Sequence, residues 1–191
     1  MAQANVHFSL EKLAGLPAYG PPATSFSSTG KQLYSEGLVI RFTTNDGTSW
    51  IGNFQRGGTQ YDYINHHPNG KNALIIASGQ GYIVDPVDRQ LVGLLGGAIV
   101  DVFNHPSQRA VVLNQQNLSF AAIGATGNIW QSRRISWDGF RSVKTAGTKL
   151  SGEAWSPHND EWRPFVLDLE TGDVVGGSYP SPPPESLTGS P

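Results

Sequence analysis

The sequence predicts an all-β fold built from short antiparallel hairpins, and three observations carry that reading. Glycine is abundant, with 23 in 191 residues, and charged residues make up only 15%, whereas globular chains average roughly 7% glycine and about 25% charge. From residue 37 onward, short apolar runs alternate with Gly, Asn, Asp and Pro, the punctuation of strands and turns. One stretch also repeats itself. Residues 82–93 align without gaps on residues 165–176, an offset of 83, and each copy is an apolar strand ending in Asp, a polar turn, a second apolar strand and a Gly.

Taken in order, the chain opens with a short helix expected over 9–15, where Ser9 caps Leu10-Glu11-Lys12-Leu13 and Gly15 ends it. The run Pro17-Ala18-Tyr19-Gly20-Pro21-Pro22 cannot continue a helix and reads as extended. Residues 1–36 are therefore expected to form an N-terminal arm. A β domain follows over 37–179. Its first two strands, 37–44 and 49–54, flank Asp46-Gly47, a hairpin signal because both central residues of a tight turn need positive φ. Further strands are expected at 73–78, 81–85, 90–95, 99–103, 110–113, 118–123, 128–135, 161–168 and 173–178. Residues 180–191, with five Pro and three Ser, read as a disordered Pro/Ser-rich tail.

The 83-residue offset is twice a period of roughly 40 residues. A degenerate copy lies between the two clear ones, at 120–123 and 125–130, and a fourth is read at 39–42 and 48–51 around Asp46-Gly47. Upstream of two copies stand His67-Pro68 and His105-Pro106, each followed by an apolar strand; Pro157-His158 is a reversed version. This pattern resembles β-propeller repeats of the tryptophan-aspartate and quinoprotein-like type over about 39–178. The resemblance implies sheets of about four antiparallel strands packed face to face around an axis. Four hairpins leave room for three or four blades, so the expectation is a small or partial propeller-like array, with a β-sandwich as the alternative. The chain also resembles a group of uncharacterised bacterial proteins in Tyr19-Gly20-Pro21-Pro22-Ala23, Glu36-Gly37-Leu38-Val39, Gly52-Asn53-Phe54-Gln55-Arg56-Gly57 and Arg133-Arg134-Ile135-Ser136-Trp137-Asp138-Gly139. That second resemblance implies no activity and no catalytic residues.

Several function classes drop out. A net charge of −2 gives no field for steering nucleic acid. The absence of Cys removes disulfides, thiolate catalysis and Cys-ligated zinc. No apolar run reaches the ~18 residues of a membrane-spanning helix, and the first residues lack a basic and an apolar signal region, so a cytoplasmic protein without membrane partners is expected. The Gly pairs carry no phosphate-loop Lys-Ser/Thr and open no helix. No Gly-x-Ser-x-Gly nucleophile turn occurs.

Candidate chemistry is sparse. His66, His67, His105 and His158 lack metal-ligand spacing, and adjacent residues on a strand point to opposite faces, so a structural role in turns is favoured and no metal or cofactor is expected. Asp85 and Asp168 hold equivalent repeat positions suited to accepting turn N–H groups. Trp50 and Trp130 follow hairpin turns and read as core residues. Trp137, Trp155 and Trp162 sit among charges, with Arg133, Arg134, Asp138, His158 and Glu161 nearby. These eight residues are the candidate partner-binding set, since aromatic and Arg anchors suit interfaces; stapling a loop to the body weighs equally. Basic residues concentrate in 133–149 and acidic ones in 153–173, a division that cross-strand pairing would absorb. The expected function is a non-enzymatic module recognising a protein partner, of accessory or immunity type. The alternatives are a carbohydrate-binding protein or glycosidase, and a structural protein that self-associates through open sheet edges.

Overall fold

The computed structural model describes residues 8–180 except 106, 108 and 115. Sixteen strands are formed among them: β1 Phe8–Lys12, β2 Thr24–Phe26, β3 Leu38–Thr44, β4 Ser49–Phe54, β5 Tyr63–His66, β6 Ala73–Ala77, β7 Gln80–Asp85, β8 Gln90–Leu94, β9 Ile99–Asn104, β10 Ala110–Asn114, β11 Ser119–Gly124, β12 Gly127–Gln131, β13 Phe140–Ala146, β14 Lys149–Ser156, β15 Glu161–Asp168 and β16 Val174–Gly176. They make four sheets of four strands, in the orders β1-β3-β4-β2, β5-β6-β7-β8, β9-β10-β11-β12 and β13-β14-β15-β16. The last three are simple antiparallel meanders, the blade-like unit that the repeats imply.

Period-2 alternation decides which sheets touch. All five residues of β6 are buried. Ala73, Ile75 and Ala77 enter a cluster with Phe42, Trp50 and Phe54 of the first sheet, while Leu74 and Ile76 enter another with Ile99 and Ile123 of the third. In the third sheet Phe120 and Ala122 turn the opposite way, onto Leu150, Phe165 and Leu167 of the fourth. The core thus joins the sheets in chain order, first to second, second to third and third to fourth. None of these clusters joins the fourth sheet back to the first, and no strand of one pairs with the other. Among the described residues the result is a propeller-like array of four blade-like sheets packed in series.

Two tryptophan latches tie neighbouring sheets at equivalent points. Trp50 donates its indole N–H to Pro86 O at 2.8 Å, and Trp130 donates to Leu169 O at 3.0 Å. Pro86 and Leu169 each follow the repeat Asp. Asp85 Oδ1 accepts the N–H groups of Val87 and Asp88, and Asp168 Oδ1 accepts that of Glu170, so both carboxylates cap their turns. Gly172 shows how tight the second latch is. Its φ is +81°, and a Cβ there would lie 2.8 Å from the Trp130 ring.

Three expectations need correction. The helix over 9–15 is instead strand β1, paired with β3 from Phe8↔Thr44 to Lys12↔Ile40. Phe8 and Leu10 alternate into the core, and that pairing outweighs one capping cue for a single turn, which is a poor helix nucleus. Residues 1–36 do not stand apart as an arm either, because β1 and β2 are the two edges of the first sheet. The hairpin at 39–42 and 48–51 is the middle pair of its sheet, whereas the other repeat copies are outer pairs. The outer place beside β4 is taken by β2, which runs parallel to it. The Pro/Ser-rich tail, from 181 onward, lies outside the described residues.

Candidate partner-binding surface

The fourth sheet buries one face and, among the described residues, leaves the other without a neighbouring sheet. In β14 and β15, Leu150, Ala154, Phe165 and Leu167 enter the core. Register places Lys149, Ser151, Glu153 and Trp155 opposite Asp168, Val166, Pro164 and Trp162 on the outer face. Trp155 and Trp162 are direct cross-strand partners with ring centroids 5.1 Å apart. The Arg141 guanidinium lies 4.4 Å over the Trp162 ring and donates to Glu153 at 2.8 and 3.2 Å. Lys149 pairs with Asp168. The hydrogen bond from Arg141 holds the Glu153 carboxyl below its ordinary value, and that from Lys149 does the same to Asp168. Two cation–carboxylate pairs are therefore matched across strands, as cross-strand pairing predicts, while Lys144, opposite Ser151, has no ion pair among the described residues. The face also leaves apolar surface open: Val166 is 42% and Val175 77% exposed, and the two are paired across β15 and β16.

A second ring cluster adjoins this face at the β14–β15 end. Trp137 lies edge-on to His158 at 4.9 Å and against Tyr179 at 4.6 Å. The Arg134 guanidinium covers the Tyr179 ring at 4.6 Å and donates to the carbonyls of Ser136 and Trp137. Two buried serines connect the clusters: Ser178 Oγ donates to Trp155 O and accepts from Trp137 N–H, while Ser136 Oγ donates to Gly139 O.

The eight residues singled out in the sequence thus divide. Trp155 and Trp162 lie together on the outer face. Arg134, Trp137 and His158 form the adjoining cluster, and Asp138 is exposed at its turn. Glu161 pairs with Ser156 at the strand end, on the opposite side from Trp162, and binds Arg163 at 2.6 Å. Arg133 turns inward, donating to the carbonyls of Arg134, Tyr179 and Gly176; burial lowers its pKa. Arg133 thus staples its segment to Gly176 and Tyr179. Arg141, Tyr179, Val166 and Val175 were not singled out. Arg141 lies in β13, a strand whose charged sequence hides its alternation; Val166 and Val175 lie in β15 and β16, where the strands were legible but which face of them stays open was not.

The far end of the array differs. Ser9, Glu11, Val39, Arg41, Thr43, Ser49, Ile51 and Asn53 share the face turned away from the core by register; Val39 is buried there, and Arg41 is paired with Glu11. The segment between β1 and β3 lies over part of this face: Asn53 donates to Ser35 O and accepts from Gly37 N–H, and Ile51 lines a cleft with Leu16 and Leu33. A polar, covered end is how a stacked array terminates. The fourth sheet has no such cover among the described residues.

The histidines sit elsewhere. His67 Nδ1 accepts the Asn69 N–H at 3.3 Å and His105 Nδ1 accepts the Ser107 N–H at 3.1 Å, the same turn contact at the same repeat position. Among the described residues no three His, Asp or Glu side chains are grouped to hold a metal ion. No described helix is long and apolar enough to cross a membrane.

No protein-family model matches the chain, and no curated protein matches it. Solved structures similar to it include dihydro-heme d1 dehydrogenase NirN in complex with DHE, at 14% identity and a TM-score of 0.49, covering 75% of this chain and 32% of that one. A protein of unknown function from Bacteroides caccae aligns at 14% identity and a TM-score of 0.45, over 74% of this chain and 59% of that one. A eukaryotic initiation factor aligns at 13% identity and a TM-score of 0.41, over 75% and 40%. The chain spans less than two thirds of the length of each.

Proposed function

We propose that this chain is a non-enzymatic binding module that recognises a protein partner through the outer face of its fourth sheet. The observation that carries the reading is the contrast between the two ends of the array. One end is polar and partly covered by its own chain, and the other presents paired tryptophans, an arginine stacked on one of them, and exposed Val166 and Val175. Aromatic rings with Arg, ringed by pairs already neutralised, are the composition of an interface hot spot. Glu153 and Asp168, the carboxyls on this face, are held down rather than raised, the opposite of what a glycosidase acid needs. The bacterial setting rests on the sequence resemblance of residues 19–23, 36–39, 52–57 and 133–139, which implies no activity; the accessory or immunity-type role extends the partner-binding reading itself.

Affinity capture with the full chain tests this reading, alongside Trp162→Ala, Val166→Glu and, on the outer strand of the second sheet, Val92→Glu. A partner held by the wild type and by Val92→Glu, and lost at least tenfold by the other two folded variants, is expected. Equal recovery by all four overturns the assignment.

A further inference from the structure

The last described residues lie beside the tryptophan pair. Ser178 Oγ donates to Trp155 O, the Tyr179 ring packs on Trp137 at 4.6 Å with the Arg134 guanidinium over it, and Pro180 follows, exposed. These contacts fix an exit point for the chain at the β14–β15 end of the outer face, where Trp155 and Trp162 are only partly buried. Eleven residues continue from it, Ser181-Pro182-Pro183-Pro184-Glu185-Ser186-Leu187-Thr188-Gly189-Ser190-Pro191.

Consecutive prolines favour the polyproline II conformation, which needs no internal hydrogen bonds and loses little entropy on docking. Aromatic-lined surfaces are the usual receptors of such segments, and Trp155 beside Trp162 is one. Reach and charge agree with this pairing. At about 3.1 Å per residue, Glu185 lies roughly 16 Å beyond Pro180. The four residues of β14 from Trp155 to Ser151 span about 13 Å. Opposite Ser151 stands Lys144, exposed and without an ion pair among the described residues. Glu185 is the only charged side chain in 181–191. We propose that residues 181–191 dock in cis across β14, with Pro182, Pro183 and Pro184 on Trp155 and Trp162 and Glu185 at Lys144, as a tethered cover of this face. The path leaves Val175, on β16, open. On the partner reading above, the segment is a competitor that a protein gripping Trp162 displaces.

The chain has no Cys, so Ser186→Cys in the full chain takes a single nitroxide spin label, and the tryptophan indole N–H signals of the ¹⁵N-labelled protein read its position. Broadening is expected at Trp155 and Trp162 and not at Trp50 or Trp130, which sit at the blade joints. A mixture of spin-labelled ¹⁴N chain with unlabelled ¹⁵N chain should show none. A freely moving tether also carries the label past these rings, so variants decide. Replacing Pro182, Pro183 and Pro184 by Gly should cut the broadening at least threefold, and so should Lys144→Glu; adding Glu185→Lys to Lys144→Glu should restore it. Equal broadening in the wild type and the Gly variant, a charge swap that restores nothing, or broadening in the mixed sample overturns the proposal. No partner enters this measurement, so its failure leaves the partner reading standing, and a failed capture leaves the docking standing.

Discussion

Single residues at the blade joints carry unusual weight, and Asp62 is the clearest case. Its carboxylate accepts the Ser78 N–H at 2.8 Å and pairs with Lys12 of the first sheet and with Arg56. Burial pushes this carboxyl up, but the hydrogen bonds from Lys12 and Ser78 and the two nearby cations outweigh it, and its pKa falls below the ordinary value. A folded-state pKa below the unfolded one means stability that is present above about pH 4 and lost as pH falls through the folded value. Asp62→Asn should therefore cost about 1–2 kcal/mol at pH 7, the cations being half-exposed and screened. It should also lose less than the wild type on acidification. Urea midpoints at pH 7 and pH 3 check this: the gap between the two proteins should narrow at pH 3, and a constant gap contradicts the role given to the charge.

At the scale of elements, the first sheet separates what the sequence made legible from what it did not. Strands β3, β4, β6, β7, β8 and β15 were expected within a residue or so, because each is a continuous apolar or alternating run between strong turn signals. The outer-pair repeat was legible too, since the capping Asp and the following turn recur at fixed spacing. Strands β1, β2, β5, β13 and β14 were not. β2 is three residues long, β13 and β14 are charged on one face, and β1 carries a local helix cue that tertiary pairing overrides. The candidate surface suffered for the same reason: its tryptophans were visible, but the strand register that sets Trp155 beside Trp162 and Arg141 over them was not. The edge roles of β1 and β2 carry a consequence. Phe8 and Phe26 are buried, so a chain beginning at residue 37 uncovers both edges of the first sheet and should lose cooperative thermal unfolding, whereas a chain beginning at residue 8 should keep it. Circular dichroism melts of the two truncations check this, and matching melts contradict it.

For the whole molecule, the central feature is a serial array, in which no core cluster of the described residues joins the fourth sheet to the first. Three clusters join four sheets in series, which leaves two terminal faces, and the chain treats them differently. The polar end, partly covered by residues between β1 and β3, terminates the stack. The other end keeps paired tryptophans and exposed valines, whose burial by a partner would remove apolar surface worth about 25 cal/mol per Å². The excess of glycine and the low charge noted in the sequence fit this architecture, because two middle sheets need apolar side chains on both faces and tight turns between many short strands. The measurement that tests the account most directly is photo-crosslinking in the cell of origin, with a benzophenone side chain at Val175 and, as control, at Val92. One covalent adduct to a foreign protein from Val175, absent from Val92, is the predicted result. Equal labelling from both positions, or an adduct only of the chain with itself, would contradict it.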